Sequence, residues 1–169
     1  MSPFACRART LPPDARNRRT GLMQLPDASA TEKLGQALAR SLRVGDVVAL
    51  FGDLGAGKTT LARGLLRGLG FEGDVASPTF PIVQVYHAPG MRLPLWHVDL
   101  YRIEDQEELP ELALDEALDD AALIIEWPER LGGALWPDSL RLHLAESGGG
   151  ARSLTAQVPP AWEGRWPPR

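Results

Sequence analysis

Residues 52–59 read Gly-Asp-Leu-Gly-Ala-Gly-Lys-Thr, the G-x-x-x-x-G-K-T spacing of a phosphate-binding loop. The residue types fit the chemistry. Gly52, Gly55 and Gly57 allow backbone conformations that a Cβ would forbid, so successive N–H groups can turn inward and cradle phosphate oxygens. A helix that starts near Lys58 adds its positive end. Lys58 is expected to reach the β- and γ-phosphates, and the Thr59 hydroxyl to hold Mg²⁺. The run Asp53, Leu54, Gly55, Ala56, Gly57, Lys58, Thr59 and Thr60 is therefore the expected nucleotide-binding set. The chain has only two lysines, at 33 and 58, against sixteen arginines. One of the two stands where a compact point charge is required.

A phosphate loop hydrolyses nothing by itself. It needs a carboxylate near the metal and a group that positions water. Two apolar runs end in such an acid: Leu93 to Val98 leads into Asp99, and Ala121 to Ile125 leads into Glu126. In an open α/β sheet, ligands collect beyond the carboxyl ends of the strands, where both acids would lie. Each is a candidate for Mg²⁺ or water, although an acid just past a strand also commonly caps the next helix. Thr79, in Ser77-Pro78-Thr79-Phe80, could complete metal coordination from a mobile loop, or belong to an ordinary turn set by Pro78. His97 shares a strand face with Asp99; it suits a phosphate contact or a structural histidine equally. Arg102 fits a phosphate-stabilising cation or an ion-pair partner in an acidic region, and Trp127 fits packing or a partner surface.

The elements that must hold these groups can be read from periodicity. Val47 to Phe51 is a buried strand ahead of the loop. Leu61, Leu65 and Leu69 mark one face of a helix after it, closed by Gly68 and Gly70. Upstream, Gly21 to Pro26 reads as a short strand. Asp27 or Ser29 then caps a helix whose apolar face carries Leu34, Ala37, Leu38 and Leu42, with a capping box at Ser29-x-x-Glu32. Ile82–Tyr86 and 93–100 read as strands joined through Ala88-Pro89-Gly90. Glu104 to Asp120 carries nine carboxylates with leucines between them, which predicts short helices with a solvated face. Residues 139–144 and 153–158 form a last hairpin around Gly148-Gly149-Gly150. The expected fold is α/β: a single P-loop NTPase-like domain with a mixed, mostly parallel central sheet, flanking helices and an antiparallel hairpin.

Composition sets bounds. A chain of 169 residues suits one domain with a real core. The net charge is −4, but residues 1–22 carry five Arg and one Asp, leaving −8 for the rest. The folded part is thus not expected to grip nucleic acid extensively, since phosphate contacts rely on Lys and Arg. The single Cys6 implies neither a disulfide nor a metal cluster. No apolar stretch approaches the roughly 18 residues of a membrane span, so the expected location is the cytoplasm. Residues 1–22 read as a disordered basic extension without a secretory signal. They could also be an arm that touches nucleic acid, or the product of a misplaced start ahead of Met23. The domain proper is expected over 23–158, with a loose tail over 159–169.

Four segments in order carry a resemblance: Gly-Asp-Leu-Gly-Ala-Gly-Lys-Thr-Thr at 52–60, Ser-Pro-Thr-Phe at 77–80, His-Val-Asp-Leu-Tyr-Arg at 97–102 and Ile-Glu-Trp-Pro-Glu at 125–129. Together with Leu25-Pro26-Asp27 and Ala30-Thr31, they closely resemble the TsaE (YjeE) family over roughly residues 23–145. The resemblance implies a bacterial P-loop ATPase that acts with TsaB and TsaD to make N6-threonylcarbamoyladenosine in tRNA, touching tRNA indirectly and neither membrane nor DNA. It implies that Thr59 and Glu126 hold Mg²⁺, with ATP as substrate, and that Asp99 is a catalytic or metal-linked carboxylate. It places Thr79 in a switch-like loop, Trp127 near the partner face, and the segment near Ala28 by the adenine. The basic extension has no counterpart in that pattern. Two other readings stay open on the residues alone. One is a small-molecule kinase, which the scatter of Arg92, Arg102 and Arg130 disfavours for want of an arginine-rich lid. The other is a nucleotide-dependent switch module with little hydrolysis of its own.

Overall fold

The computed structural model describes residues 17–168. The chain runs β1 (Arg18–Arg19), β2 (Met23–Leu25), α1 (Ala28–Ala39), β3 (Val47–Phe51), α2 (Lys58–Gly68), β4 (Val83–Tyr86), β5 (Leu95–Asp99), α3 (Leu114–Ala117), β6 (Ala122–Glu126), β7 (Leu140–Gly148) and β8 (Ala151–Val158). Short 3₁₀ turns cover Gln106–Leu112, Pro128–Ala134 and Pro160–Trp162. The strands form one eight-stranded sheet in the order β1-β8-β7-β3-β6-β5-β4, with β2 also paired to β8. Its centre, β7-β3-β6-β5, is parallel throughout. Antiparallel pairs finish both edges: β4 on β5, and β7 on β8 with β1 and β2 beyond. This is the α/β architecture expected, with the predicted hairpins at 83–99 and 140–158.

Alternation along the central strands sorts side chains between two cores. Val48, Leu50, Leu95, Ala122 and Ile124 face the layer made by α1 and α2. Val47, Val98, Leu123 and Ile125 face the other layer, with Leu114, Ala117 and Leu131. Leu38, Leu61, Leu65 and Leu66 are fully buried beneath the helices; burying each such side chain stabilises by about 1.5–3 kcal/mol. The period of two therefore puts His97, Asp99 and Glu126 on the same side of the sheet as α2.

Helices α1 and α2 run parallel and touch backbone to backbone. A Cβ on Gly64 would lie 2.0 Å from the Glu32 carbonyl oxygen, and one on Gly68 would lie 2.7 Å from that of Gln36. The advance of four residues on each helix fixes the direction. The first turn of α1 consequently lies beside the first turn of α2, at the loop end. The cap of α1 is Asp27, whose carboxylate accepts from the Ala30 N–H at 2.7 Å. Ser29 lies inside the first turn, so the capping-box alternative does not hold.

Two expectations about the ends change. The stretch after Pro159, expected to be loose, is packed: Trp162 is fully buried in the core of the α1–α2 side, and Trp166 nearly so. The Arg165 guanidinium sits over the Trp162 ring at 4.1 Å, pairs with Asp46 and donates to the Ser41 carbonyl at 3.1 Å. Large aromatic area outweighed the proline content. At the other end, the disordered extension proposed for residues 1–22 lies outside the described residues as far as 16. Arg18 and Arg19 pair with Val158 and Gln157, so residues 18–19 belong to the sheet.

Candidate functional site: a phosphate loop and two strand-end carboxylates

Parallel register brings the chemistry together. Leu50 is level with Glu126, and Asp99 is level with Glu126. The phosphate loop leaves β3 at the same edge where β5 and β6 end in their acids, as Gly52 follows Phe51 directly. Gly52 takes φ +142°, and a Cβ there would meet the Leu144 carbonyl oxygen of β7 at 2.4 Å. The loop can turn beside β7 only because that residue is glycine.

Lys58, the first residue of α2, is 4% exposed. Its Nζ donates to the Gly52 carbonyl at 2.6 Å and the Asp53 carbonyl at 2.8 Å, and sits 4.3 Å above the Trp127 ring. Burial holds its pKa below the usual 10.5, opposed by the charges of Glu126, Asp99, Glu129 and Asp53. The next residue, Thr59, donates its hydroxyl to Glu126 Oε1 at 2.9 Å, with Oε2 at 3.2 Å. The contact spans 67 residues of sequence and unites the two residues expected at the metal. Glu126 is buried, and His97 Nε2 lies 2.8 Å from its Oε1. His97 thus has a carboxylate as the partner of its Nε2.

Asp99 is also buried but has a different set of partners. Its Oδ2 accepts the hydroxyls of Ser77 at 2.9 Å and Thr79 at 3.1 Å, and its Oδ1 accepts the Tyr101 N–H at 3.0 Å. The 77–80 loop is therefore fastened to β5 through two hydroxyls. Phe80 at its tip is 81% exposed, with the Arg102 guanidinium 4.2 Å from its ring. Arg102 thus contacts an aromatic ring. Asp53, Leu54 and Gly55 lie exposed along the loop, Ala56 is buried, and Thr60 is half-buried next to Thr59. Ala28 is exposed at the head of α1, on the loop side of the helix pair.

Arg152 of β8 is a site residue that the sequence reading missed. Its Nη2 donates to the Gly55 carbonyl at 2.9 Å, and its Cγ and Nε come within 3.7 Å of a Cβ position on Gly57. Its own Nε is buried without a hydrogen-bond partner. A hairpin arginine 97 residues from its partner gives no local signal.

The donor set suits Mg²⁺. The ion keeps several waters and takes one or two carboxylates besides substrate phosphates. A hydroxyl and a carboxylate in mutual contact beside a phosphate loop meet that description. Among the described residues, no cluster of three or more His, Cys, Asp or Glu side chains offers a closed protein cage instead.

Comparison with known proteins agrees with this geometry. The family described as "Threonylcarbamoyl adenosine biosynthesis protein TsaE" matches residues 25–154. A relative named tRNA threonylcarbamoyladenosine biosynthesis protein TsaE, from Streptomyces coelicolor, is 48% identical over 75% of this chain and 95% of its own length. One of the same name from Synechocystis is 47% identical over 63% of this chain and 69% of its length. The crystal structure of Bacillus subtilis YdiB superposes with a TM-score of 0.69 at 27% identity, covering 84% of this chain and 86% of that one. With a P-loop NTPase fold, a phosphate loop facing two strand-end acids, and this match over most of its length, the chain belongs to the TsaE family of tRNA threonylcarbamoyladenosine biosynthesis proteins.

Proposed function

We propose that the protein binds and hydrolyses ATP with Mg²⁺ in the cytoplasm, as the ATPase subunit that acts with TsaB and TsaD in modifying tRNA. The observation that carries this reading is the Thr59–Glu126 contact at 2.9 Å at the mouth of the phosphate loop. Bound Mg²⁺ would be held by Thr59 and Glu126 and would neutralise phosphate charge. Lys58 supplies the fixed cation for the β- and γ-phosphates, and the N–H groups from Asp53 to Thr60 cradle them. Asp99 is assigned to water or an outer metal contact, because its oxygens already hold Ser77, Thr79 and Tyr101. Ala28 lies on the side where α1 and α2 begin, which fits an adenine contact. Exposed Leu54 and Phe80, near the site, fit a protein partner more than bulk water.

The hydroxyl bridges from the 77–80 loop to Asp99 favour a second role beside the first. A loop fastened to a site carboxylate can report nucleotide state to a partner, so hydrolysis would also reset a switch.

Glu126→Ala is the decisive variant. It is expected to cut Mg²⁺-dependent turnover in the presence of TsaB and TsaD by about 100-fold or more, as loss of a metal-held transition-state charge would. Metal-free nucleotide affinity should change far less. Unchanged turnover and unchanged metal dependence would move the metal to Asp99 and refute the assignment. Stoichiometric phosphorylation of a small acceptor by the wild-type protein would refute the ATPase reading in favour of a kinase.

A further inference from the structure

Glu126 is 3% exposed and His97 fully buried, so their contact is shielded from water and its geometry matters. The Oε1 edge of the carboxylate receives Thr59 Oγ1 at 2.9 Å and has His97 Nε2 at 2.8 Å. Among the described residues, its Oε2 has only the longer Thr59 contact at 3.2 Å. An ionised carboxylate only accepts hydrogen bonds, so the ring proton between the two belongs on Nε2. The opposite nitrogen agrees: Nδ1 of His97 is buried and, among the described residues, has no hydrogen-bond partner. A proton there would have no acceptor, so the one ring proton that the surroundings can satisfy points at Glu126.

The backbone makes this contact rigid. His97 pairs with Ile124 across the β5–β6 ladder, two residues before Glu126. Donor and acceptor therefore lie diagonally across two hydrogen-bonded parallel strands, with 2.8 Å between them. A glutamate has three rotatable side-chain bonds, and Thr59 alone, meeting both oxygens, does not choose between its edges. We propose that His97 is a positioning residue for Glu126: its Nε2–H pins Oε1 and leaves Oε2 as the oxygen available to a divalent cation. This rests on the assignment of Glu126 to the metal. It adds that a buried imidazole, acting through the carboxylate it touches, sets how tightly that metal is held.

The test separates positioning from packing. His97→Leu keeps bulk and removes the donor. His97→Gln returns an N–H donor near the Nε2 position, and His97→Asn carries one that falls short. Mn²⁺ affinity is read by electron paramagnetic resonance in the presence of a non-hydrolysable ATP analogue, and nucleotide affinity is read separately in EDTA. For His97→Leu the expected result is a loss of Mn²⁺ affinity of about 10- to 100-fold, the usual cost of removing an outer-shell partner, with metal-free nucleotide affinity within about twofold. His97→Gln should recover most of the loss and His97→Asn little. If His97→Leu does not fold, the Gln and Asn variants decide the matter by their difference. Equal Mn²⁺ affinity in the Gln and Asn variants, or an unaffected His97→Leu protein, overturns the inference. Glu126→Gln, run in parallel, distinguishes the two levels. If it weakens Mn²⁺ while the His97 variants do not, only the positioning role fails. If it leaves Mn²⁺ binding intact, the metal assignment fails and the positioning role with it.

Discussion

Lys58 offers the sharpest quantitative test, because its surroundings act on binding and on stability in opposite directions. Lys58→Met keeps most of the buried stem and deletes the ammonium. A hydrogen bond to a charged group is worth about 1.5–3 kcal/mol, which at about 1.36 kcal/mol per tenfold corresponds to a loss of phosphate affinity of about 10- to 150-fold. The fold should not suffer equally. The two carbonyls released, on Gly52 and Asp53, lie on a loop with exposed residues, where water can replace the ammonium. The wild-type protein adds a pH signature. Burial holds the Lys58 ammonium below its usual 10.5, so affinity for ADP should fall on the alkaline side before pH 10.5 is reached. Stability should move the other way. The charged form costs most below the lowered value, and that cost is relieved as pH rises from there towards 10.5. A guanidinium does not deprotonate in this range, so Lys58→Arg should bind more weakly yet lose the alkaline fall. Titration with a fluorescent ADP analogue from pH 7 to 10.5, beside denaturant melts, checks both arms. A wild-type affinity flat to pH 10.5, or an identical fall in the arginine variant, would refute the reasoning.

Two predictions concern the scaffold. In Gly64→Ala, the new methyl would start 2.0 Å from the Glu32 carbonyl oxygen, so α1 and α2 must separate. Overpacking costs about 1–3 kcal/mol, more than the helix propensity gained, and the melting temperature should drop by about 2–10 °C; an unchanged melt would show the helices free to slide. His143, stacked on Phe51 at 4.4 Å, has its pKa lowered from 6.5 by burial, aided by Arg141 and Arg19 and opposed by Glu129. Unfolded chains then take up the proton first, so stability present above pH 6.5 is lost as pH falls below it. His143→Phe, which keeps the stack, should flatten that acid limb in denaturant melts at pH 7.5 and 5.5; an equally steep limb in the variant would place the cause elsewhere.

The parts of the site legible in the sequence were those set by local spacing. The loop, its strand and its helix form one contiguous unit, so residues 47–68 could be placed directly. Asp99 and Glu126 were visible because each ends an apolar run, and strand alternation predicted that His97 shares a face with Asp99. Alternation gives a face but no neighbour. That Thr59 meets Glu126 instead of Asp99, and that His97 backs Glu126, depends on the order β3-β6-β5, which no local pattern encodes. Arg152 was hidden for the same reason. The packed tail is a different case: Trp162 and Trp166 were an available signal that proline content obscured. Gly64 and Gly68, four apart on a helix, likewise signal a close helix contact, whereas the local pattern gave only a helix end at Gly68 and Gly70.

The backbone indicates that the site, and not chain propensity, dictates its own geometry. Three described non-glycine residues take positive φ, and two of them adjoin the chemistry: Ile82 at +64° and Trp127 at +58°. For a β-branched residue such as Ile82, this is a true outlier, and such conformations cost about 1–3 kcal/mol each. Each is held in place by what surrounds it. The Ile82 N–H donates to the Pro78 carbonyl at 2.7 Å and its carbonyl accepts the Asp99 N–H at 2.8 Å, so the bend ties the 77–80 loop to the strand end that carries Asp99. Trp127 follows Glu126 directly. Its left-handed turn ends β6 and brings the ring to the Lys58 ammonium, with Tyr101 packed 5.0 Å away. The strained conformations are thus those that bring a hydroxyl-bearing loop to one acid and an aromatic face to the Lys58 ammonium. Both placements lie at the edge where the phosphate loop meets the strand-end acids.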